Sequence, residues 1–169
     1  NDSKFLVVDI GGGSTEVTLI KDNIITDYVS TRIGVVREWK RYKKIDSFTI
    51  VDKKNIFKDI QKKLLKYKFF SNFKEKKIKI VMNGGTPTTL AAIKLKLKKY
   101  SPEAVNGQRL SLNYIKSTHD ELMLMKPNER LKLHGMEKGR EVVIIYGIFI
   151  LISILKLINK DSLYVSDSG

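Results

Sequence analysis

At 169 residues the chain is about one domain long, enough to bury roughly 70% of the surface its unfolded form exposes. With 42% hydrophobic and 30% charged residues it has an ordinary globular composition, and the lack of cysteine excludes disulfides, thiolate zinc sites and a cysteine nucleophile. The net charge of +14 is almost all lysine, which leaves open a polyanionic partner or a bias toward lysine-solvated surfaces. The second reading is the default. No aromatic-interleaved basic stripe accompanies the charge, so no specific nucleic-acid partner is expected.

The chain starts without Met and shows no charged-then-apolar leader, which reads as a piece of something longer without a secretory signal and is compatible with the cytoplasm. Residues 5–20, FLVVDIGGGSTEVTLI, carry the strongest signal. Leu6, Val7 and Val8 form an apolar, β-branched run ending at Asp9. Gly11, Gly12 and Gly13 then free backbone N–H groups of the kind that cradle a phosphate. Thr15, Val17 and Leu19 alternate with Glu16 and Thr18, so the loop leads into a second strand and not into a helix. That argues against a dinucleotide fingerprint and for a hairpin with a carboxylate at each end.

Asp22 and Asn23 make the next turn, and residues 23–30 read as a third antiparallel strand. A short helix is expected over residues 32–39, and residues 41–51 carry no clear pattern. Residues 53–68 form an amphipathic helix with Ile56, Phe57, Ile60 and Leu64 on one face and Lys54, Lys58, Lys62 and Lys66 opposite, most simply a solvated face.

A strand over residues 77–82 runs into Asn83, Gly84, Gly85, Thr86 and Pro87, with Thr86 expected as N-cap and Pro87 as first helical residue. Strand, Gly-Gly turn and helix N-terminus make a second candidate anion site. Residues 101–107 read as a loop, and Ser111 caps a helix carrying Leu112, Ile115, Leu122 and Met125. Pro127 interrupts it before a short continuation over residues 128–133. Residues 142–155, VVIIYGIFILISIL, are too few for the ~20 of a membrane span and read as a central buried helix, with Gly147 permitting close packing. Residues 162–166 form a last strand, and Asp167, Ser168 and Gly169 follow as a further turn. His119 and His134 lack a spaced partner and read as surface residues.

Three antiparallel strands followed by helix, strand, helix, strand is the order of an α/β, ribonuclease-H-like half-domain with a mixed sheet flanked by helices. It resembles the half-domain of the actin, sugar-kinase and chaperone ATPase superfamily. The local motifs are narrower. Asp9 through Glu16 (DIGGGSTE) resembles the signature of the exopolyphosphatase/guanosine pentaphosphate phosphatase (Ppx/GppA) family, and Gly84 through Ala92 (GGTPTTLAA) resembles its second turn. Val105-Asn106-Gly107 is similar to its VHG segment, Glu129-Arg130, Gly135-Met136 and Gly139-Arg140 to its ER, GM and GR positions, and VSDSG at 165–169 to the start of VSDxGLREG. Asn106 stands where the family has His, and Val142 where it has Asp.

The resemblance implies hydrolysis of a terminal phosphate from polyphosphate or pppGpp. The N–H groups of Gly11, Gly12, Gly13, Ser14 and Thr15 would hold the reacting phosphate from one side, and Gly84, Gly85 and Thr86 from the other. Asp9 and Glu16 would position Mg²⁺ or another divalent cation. Arg140 would meet a substrate phosphate or cap the helix it begins. The chain would be a single domain, 1–169, forming the second lobe of a two-lobe enzyme, with the catalytic base on an N-terminal lobe outside it and a homodimer possible. A kinase or ATPase of the same superfamily and a non-catalytic polyphosphate or pppGpp sensor are the competing readings.

Overall fold

The computed structural model describes residues 4–167. The opening strands are β1 (Lys4–Ile10), β2 (Thr15–Lys21) and β3 (Ile24–Thr31). Helices α1 (Val35–Tyr42), α2 (Ile50–Leu64) and α3 (Lys68–Ser71) lead to β4 (Lys79–Asn83) and α4 (Gly85–Lys94). Then come α5 (Pro102–Val105), β5 (Arg109–Ser111), α6 (Leu112–Leu124), α7 (Pro127–Arg130), α8 (Ile144–Leu157) and β6 (Ser162–Val165).

One six-stranded mixed sheet runs in the order β3-β2-β1-β4-β6-β5. Strands β1, β4 and β6 are parallel neighbours, while β2, β3 and β5 pair antiparallel. Leu6, Val8, Val17, Ile80, Met82 and Leu163 are buried on one face, matching the period-two pattern of their strands. Helix α8 supplies the densest core, with every residue from 144 to 155 buried. A fully buried side chain of this size contributes about 1.5–3 kcal/mol, so this helix outweighs any other element in organising the fold. No helix among the described residues is long and apolar enough to cross a membrane.

The helix boundaries depart from the sequence reading where a cap decides them. Helix α2 starts at Ile50 because Thr49 and Asp52 form a reciprocal capping box, with Asp52 N–H donating to Thr49 Oγ1 at 3.0 Å and Thr49 N–H to Asp52 Oδ2 at 2.8 Å. Helix α1 begins only after Gly34, later than residue 32. Helix α4 begins at Gly85 with Gly84 as N-cap, so Thr86 lies inside the first turn and is not the cap. The 101–107 loop contains the one-turn helix α5, capped by Ser101, and residues 109–111 form an edge strand that the sequence pattern does not announce. Ser111 does cap α6, accepting from Tyr114 N–H at 3.1 Å. Helix α7 takes Pro127 as its first residue and ends at Arg130, so residues 131–133 fall outside it.

His119 is not a surface residue: it is wholly buried against Phe57 and Phe149, on the inner face of an amphipathic helix. Lys54, Lys58, Lys62 and Lys66 are exposed, as a solvated face requires. Ser168 and Gly169 of the final turn lie outside the described residues.

Candidate functional site

The carboxyl ends of the parallel strands β1 and β4 open onto a cleft of about 340 Å³. Its walls are Asp9, Ile10, Gly11 and Gly12 from the first turn, Gly84, Gly85 and Thr86 from the second, Val35 and Val36 from α1, and Arg140, Val143 and Ile144 ahead of and at the start of α8. Two turns far apart in sequence thus face one space, because Asp9 and Asn83, 74 residues apart, are register partners.

The first turn is closed by Gly11 N–H donating to Ser14 O at 2.9 Å. Its carbonyls point at α1: Gly11 O accepts from Val35 N–H at 3.0 Å, and Gly12 O from Val36 and Arg37 at 2.9 and 3.1 Å. Arg37 Nε also donates to Gly13 O at 2.9 Å. With the carbonyls so fixed, the N–H groups of Gly12, Gly13 and Ser14 meet no acceptor among the described residues. Such unpaired amides form an anion-binding concavity. Gly34 makes the docking possible, since a Cβ there would fall 2.5 Å from the Gly13 carbonyl carbon and the Ser14 nitrogen.

The second turn depends on Gly84. Its φ of +95° favours glycine, and a Cβ would lie 2.8 Å from Ile10 O and 3.2 Å from Asp9 Oδ1. Pro87 has no N–H, so Gly85 and Thr86 supply the free donors of the α4 first turn, where the helix dipole is positive. Arg140 does not begin a helix. It sits four residues before α8, with its carbonyl accepting from Ile144 N–H at 2.9 Å, and its guanidinium lies against Gly85 in the cleft.

Asp9 and Glu16 are directly opposed across the β1–β2 pair and share the sheet face away from the buried Val8 and Val17. Asp9 lines the cleft; Glu16 stands beside it, with Oε1 accepting from Ser30 Oγ at 2.8 Å. Partial desolvation first, and then the negative charge of Glu16, push the Asp9 carboxyl above the ordinary carboxylate range. Two repelling oxygen donors beside an anion cradle suit a hard cation that keeps several waters. No group of three or more His, Cys, Asp or Glu side chains occurs among the described residues, so an all-protein metal cage does not fit.

Gly13, Ser14 and Thr15 lie outside the cleft wall. Thr15 is structural: its buried hydroxyl donates to Ile33 O at 2.7 Å and its carbonyl accepts from Thr31 Oγ1 at 3.1 Å, tying the hairpin to the end of β3. Sequence reasoning missed Gly34, Val35, Val36 and Val143. The only available signal was a glycine between the third strand and the first helix.

The sheet order and its flanking helices define an α/β half-domain of the ribonuclease-H-like type. The model of the Ppx/GppA phosphatase family matches residues 1–169, and the chain belongs to that family. It is 32% identical over 166 residues to the bifunctional 3-dehydroquinate synthase/phosphatase of Fusobacterium nucleatum, covering 96% of this chain and 24% of that protein. It is 26% identical to exopolyphosphatase 2 of Mycobacterium tuberculosis, covering 96% of this chain and 52% of that one. Among solved structures it resembles the PPX-GPPA enzyme of Aquifex aeolicus, with a TM-score of 0.88 and 35% identity over 100% of this chain and 55% of that one. An exopolyphosphatase of Cytophaga hutchinsonii gives a TM-score of 0.82 at 26% identity, over 99% and 54%. The chain therefore spans a quarter to about half the length of these relatives.

Proposed function

We propose that this chain is one lobe of a phosphohydrolase that releases the terminal phosphate of inorganic polyphosphate or pppGpp. The observation that carries the reading is the convergence of two glycine turns, one cationic side chain and one carboxylate on a single cleft. Attack of water on a phosphoanhydride needs little covalent help from protein and much charge stabilisation. Here the Gly12 amide on one side and those of Gly85 and Thr86 on the other hold the terminal phosphoryl oxygens. Arg140 neutralises the charge that spreads onto them. Asp9 and Glu16 are the residues that would hold Mg²⁺, which when bound would neutralise charge on the phosphate oxygens. The general base comes from a second lobe, as the family resemblance implies and as the half-length match to relatives supports.

Phosphate release should be measured with polyphosphate and with pppGpp, using the protein that contains both lobes, with and without Mg²⁺. Turnover of either substrate that falls on the order of 10²-fold in Arg140→Gln supports the reading. ATP consumption without action on either substrate indicates a kinase or ATPase, and binding without turnover indicates a sensor. Residues 1–169 alone should bind phosphate and release none.

A further inference from the structure

A second concavity lies on the far side of α8. Its volume is about 250 Å³, and Lys53 and Phe57 of α2, Lys116, His119 and Asp120 of α6 and Lys156 of α8 line it. Lys156 is twelve residues beyond Ile144 of the cleft wall, about 18 Å along the helix axis at 1.5 Å per residue. The two sites are therefore distinct.

Three ammonium groups converge here against one carboxylate. Lys53 Nζ pairs with Asp120 Oδ1, and Lys156 Nζ stands 5.2 Å from the centre of the Phe57 ring. Desolvation, and then the charges of Lys116 and Lys53, lower the affinity of Lys156 for its proton. Free lysines fan out into water to avoid each other; these hold uncompensated positive charge in one hollow.

The wall behind them is His119, wholly buried, with Phe149 4.4 Å and Phe57 6.0 Å away between ring centres. Its Nε2 lies 3.1 Å from Ile145 O, so Nε2 carries the proton and donates. Nδ1 then bears a lone pair, and it is buried without a partner. An orphaned buried polar atom is destabilising, a cost that an apolar side chain at this position would avoid. A ligand suited to this hollow carries negative charge for the lysines and one acidic hydrogen for the imidazole.

We propose that the hollow between α2, α6 and α8 binds a hydrogen-phosphate group, with Lys53, Lys116 and Lys156 on its oxygens and His119 Nδ1 accepting from its P–OH. Free orthophosphate and the end of a phosphate chain share that chemistry. The inference does not rest on hydrolysis in the cleft.

The test is an amide-shift titration of the ¹⁵N-labelled chain with orthophosphate, tripolyphosphate and sulfate. Orthophosphate should give saturable shifts at Phe57, Lys116, His119 and Ile152. Lys116→Gln/Lys156→Gln should weaken that binding at least tenfold while leaving the responses of Gly12 and Gly85 unchanged. Because these lysines are surface groups, the rest of the spectrum should stay the same, which separates lost binding from lost folding. Tenfold tighter binding of tripolyphosphate assigns a chain end, and equal or weaker binding assigns the free ion. No saturable shifts on α2, α6 and α8 would overturn the proposal, as would an equal response to sulfate, which has no proton to give. Since Gly12 and Gly85 report on the cleft separately, failure of either site is read independently.

Discussion

The guanidinium of Arg140 lies against the α-carbon of Gly85: a β-carbon on Gly85 would fall 1.4 Å from Nη1 and 2.0 Å from Cζ. A cation and a helix N-terminus therefore occupy the same corner of the cleft, and the missing side chain at 85 is what lets them. Gly85→Ala should displace the guanidinium and lower kcat/KM on the order of 10- to 10²-fold, with little change in Tm. If displacement is the cause, Gly85→Ala adds almost nothing to Arg140→Gln, since both remove the same interaction. Phosphate release by the two single variants and the double variant checks this. Full additivity would sink it.

Removing the Asp9 carboxylate should raise stability and lower activity. The folded pKa of Asp9 is raised above its ordinary value of 3.8, so its contribution is most favourable below that pH and is lost as pH rises through the folded value. At neutral pH without divalent ions, Asp9→Asn should therefore melt higher than the native chain, and the difference should vanish as pH falls below 3.8. Adding Mg²⁺ should raise the Tm of the native chain and not that of the variant. In the enzyme with both lobes, Asp9→Asn and Glu16→Gln should each lose on the order of 10²-fold in Mg²⁺-dependent turnover. Thermal melts across pH with and without Mg²⁺, beside turnover, test the pair.

Both turns of the cleft were legible because each is a contiguous motif whose glycines, hydroxyls and carboxylates act within a few residues of one another. The buried helix around Gly147 was legible for a similar reason, since an unbroken apolar run has few other uses. What escaped depends on distant partners. Gly34 matters only because residues 13 and 14 pack on it, and His119 reads as a surface residue because its isolation in sequence says nothing of Phe57 and Phe149. The start of α2 was missed for a local reason: the capping box uses Asp52 where Glu is usual, amid a lysine-rich stretch. Three residues of β5 are too few for a period to register.

Arg130 is another residue whose role is invisible locally. It is fully buried, and it donates from Nε to Leu122 O at 2.8 Å, from Nη1 to Glu141 O at 2.7 Å and from Nη2 to Ile45 O at 2.8 Å. It thus pins the end of α6, the α1–α2 linker and the residue after Arg140. Arg130→Met would strip the Glu141 and Ile45 carbonyls of their donor and leave Leu122 O only the Met125 N–H at 3.2 Å, and we expect a loss on the order of 3 kcal/mol by urea unfolding. Arg130→Lys, with no planar fork, should recover only a minor part. A loss below about 1 kcal/mol would contradict the role.

Gly147 packs α8 against α4, where a Cβ would lie 2.0 Å from Thr86 Oγ1. Alanine favours a helix by roughly 1 kcal/mol over glycine, whereas overpacking costs typically 1–3 kcal/mol. The steric term should win, so Gly147→Ala destabilises. Thr86→Ala removes the nearest atom and should recover part of the loss. Urea midpoints of the two single variants and the double variant measure that coupling; an unchanged midpoint in Gly147→Ala contradicts the close approach.

His119 should make the fold acid-sensitive in a window that one substitution removes. Burial above all, with the positive charges of Lys53 and Arg130 adding to it, outweighs the Ile145 carbonyl and Asp120 and holds its pKa down to about 3, against an ordinary 6.5. The unfolded chain therefore binds a proton between these values that the folded chain refuses. Stability from this group is complete above pH 6.5 and drains away as pH falls toward 3, with a limiting slope of about 1.4 kcal/mol per pH unit. His119→Phe keeps an aromatic ring against Phe57 and Phe149 and has nothing to protonate. In phosphate-free buffer, the native chain minus the variant should give a constant difference in unfolding free energy above pH 7. Below pH 6 that difference should fall steadily against the native chain. Parallel stability curves from pH 8 to pH 4 would mean that His119 takes up its proton in the folded state.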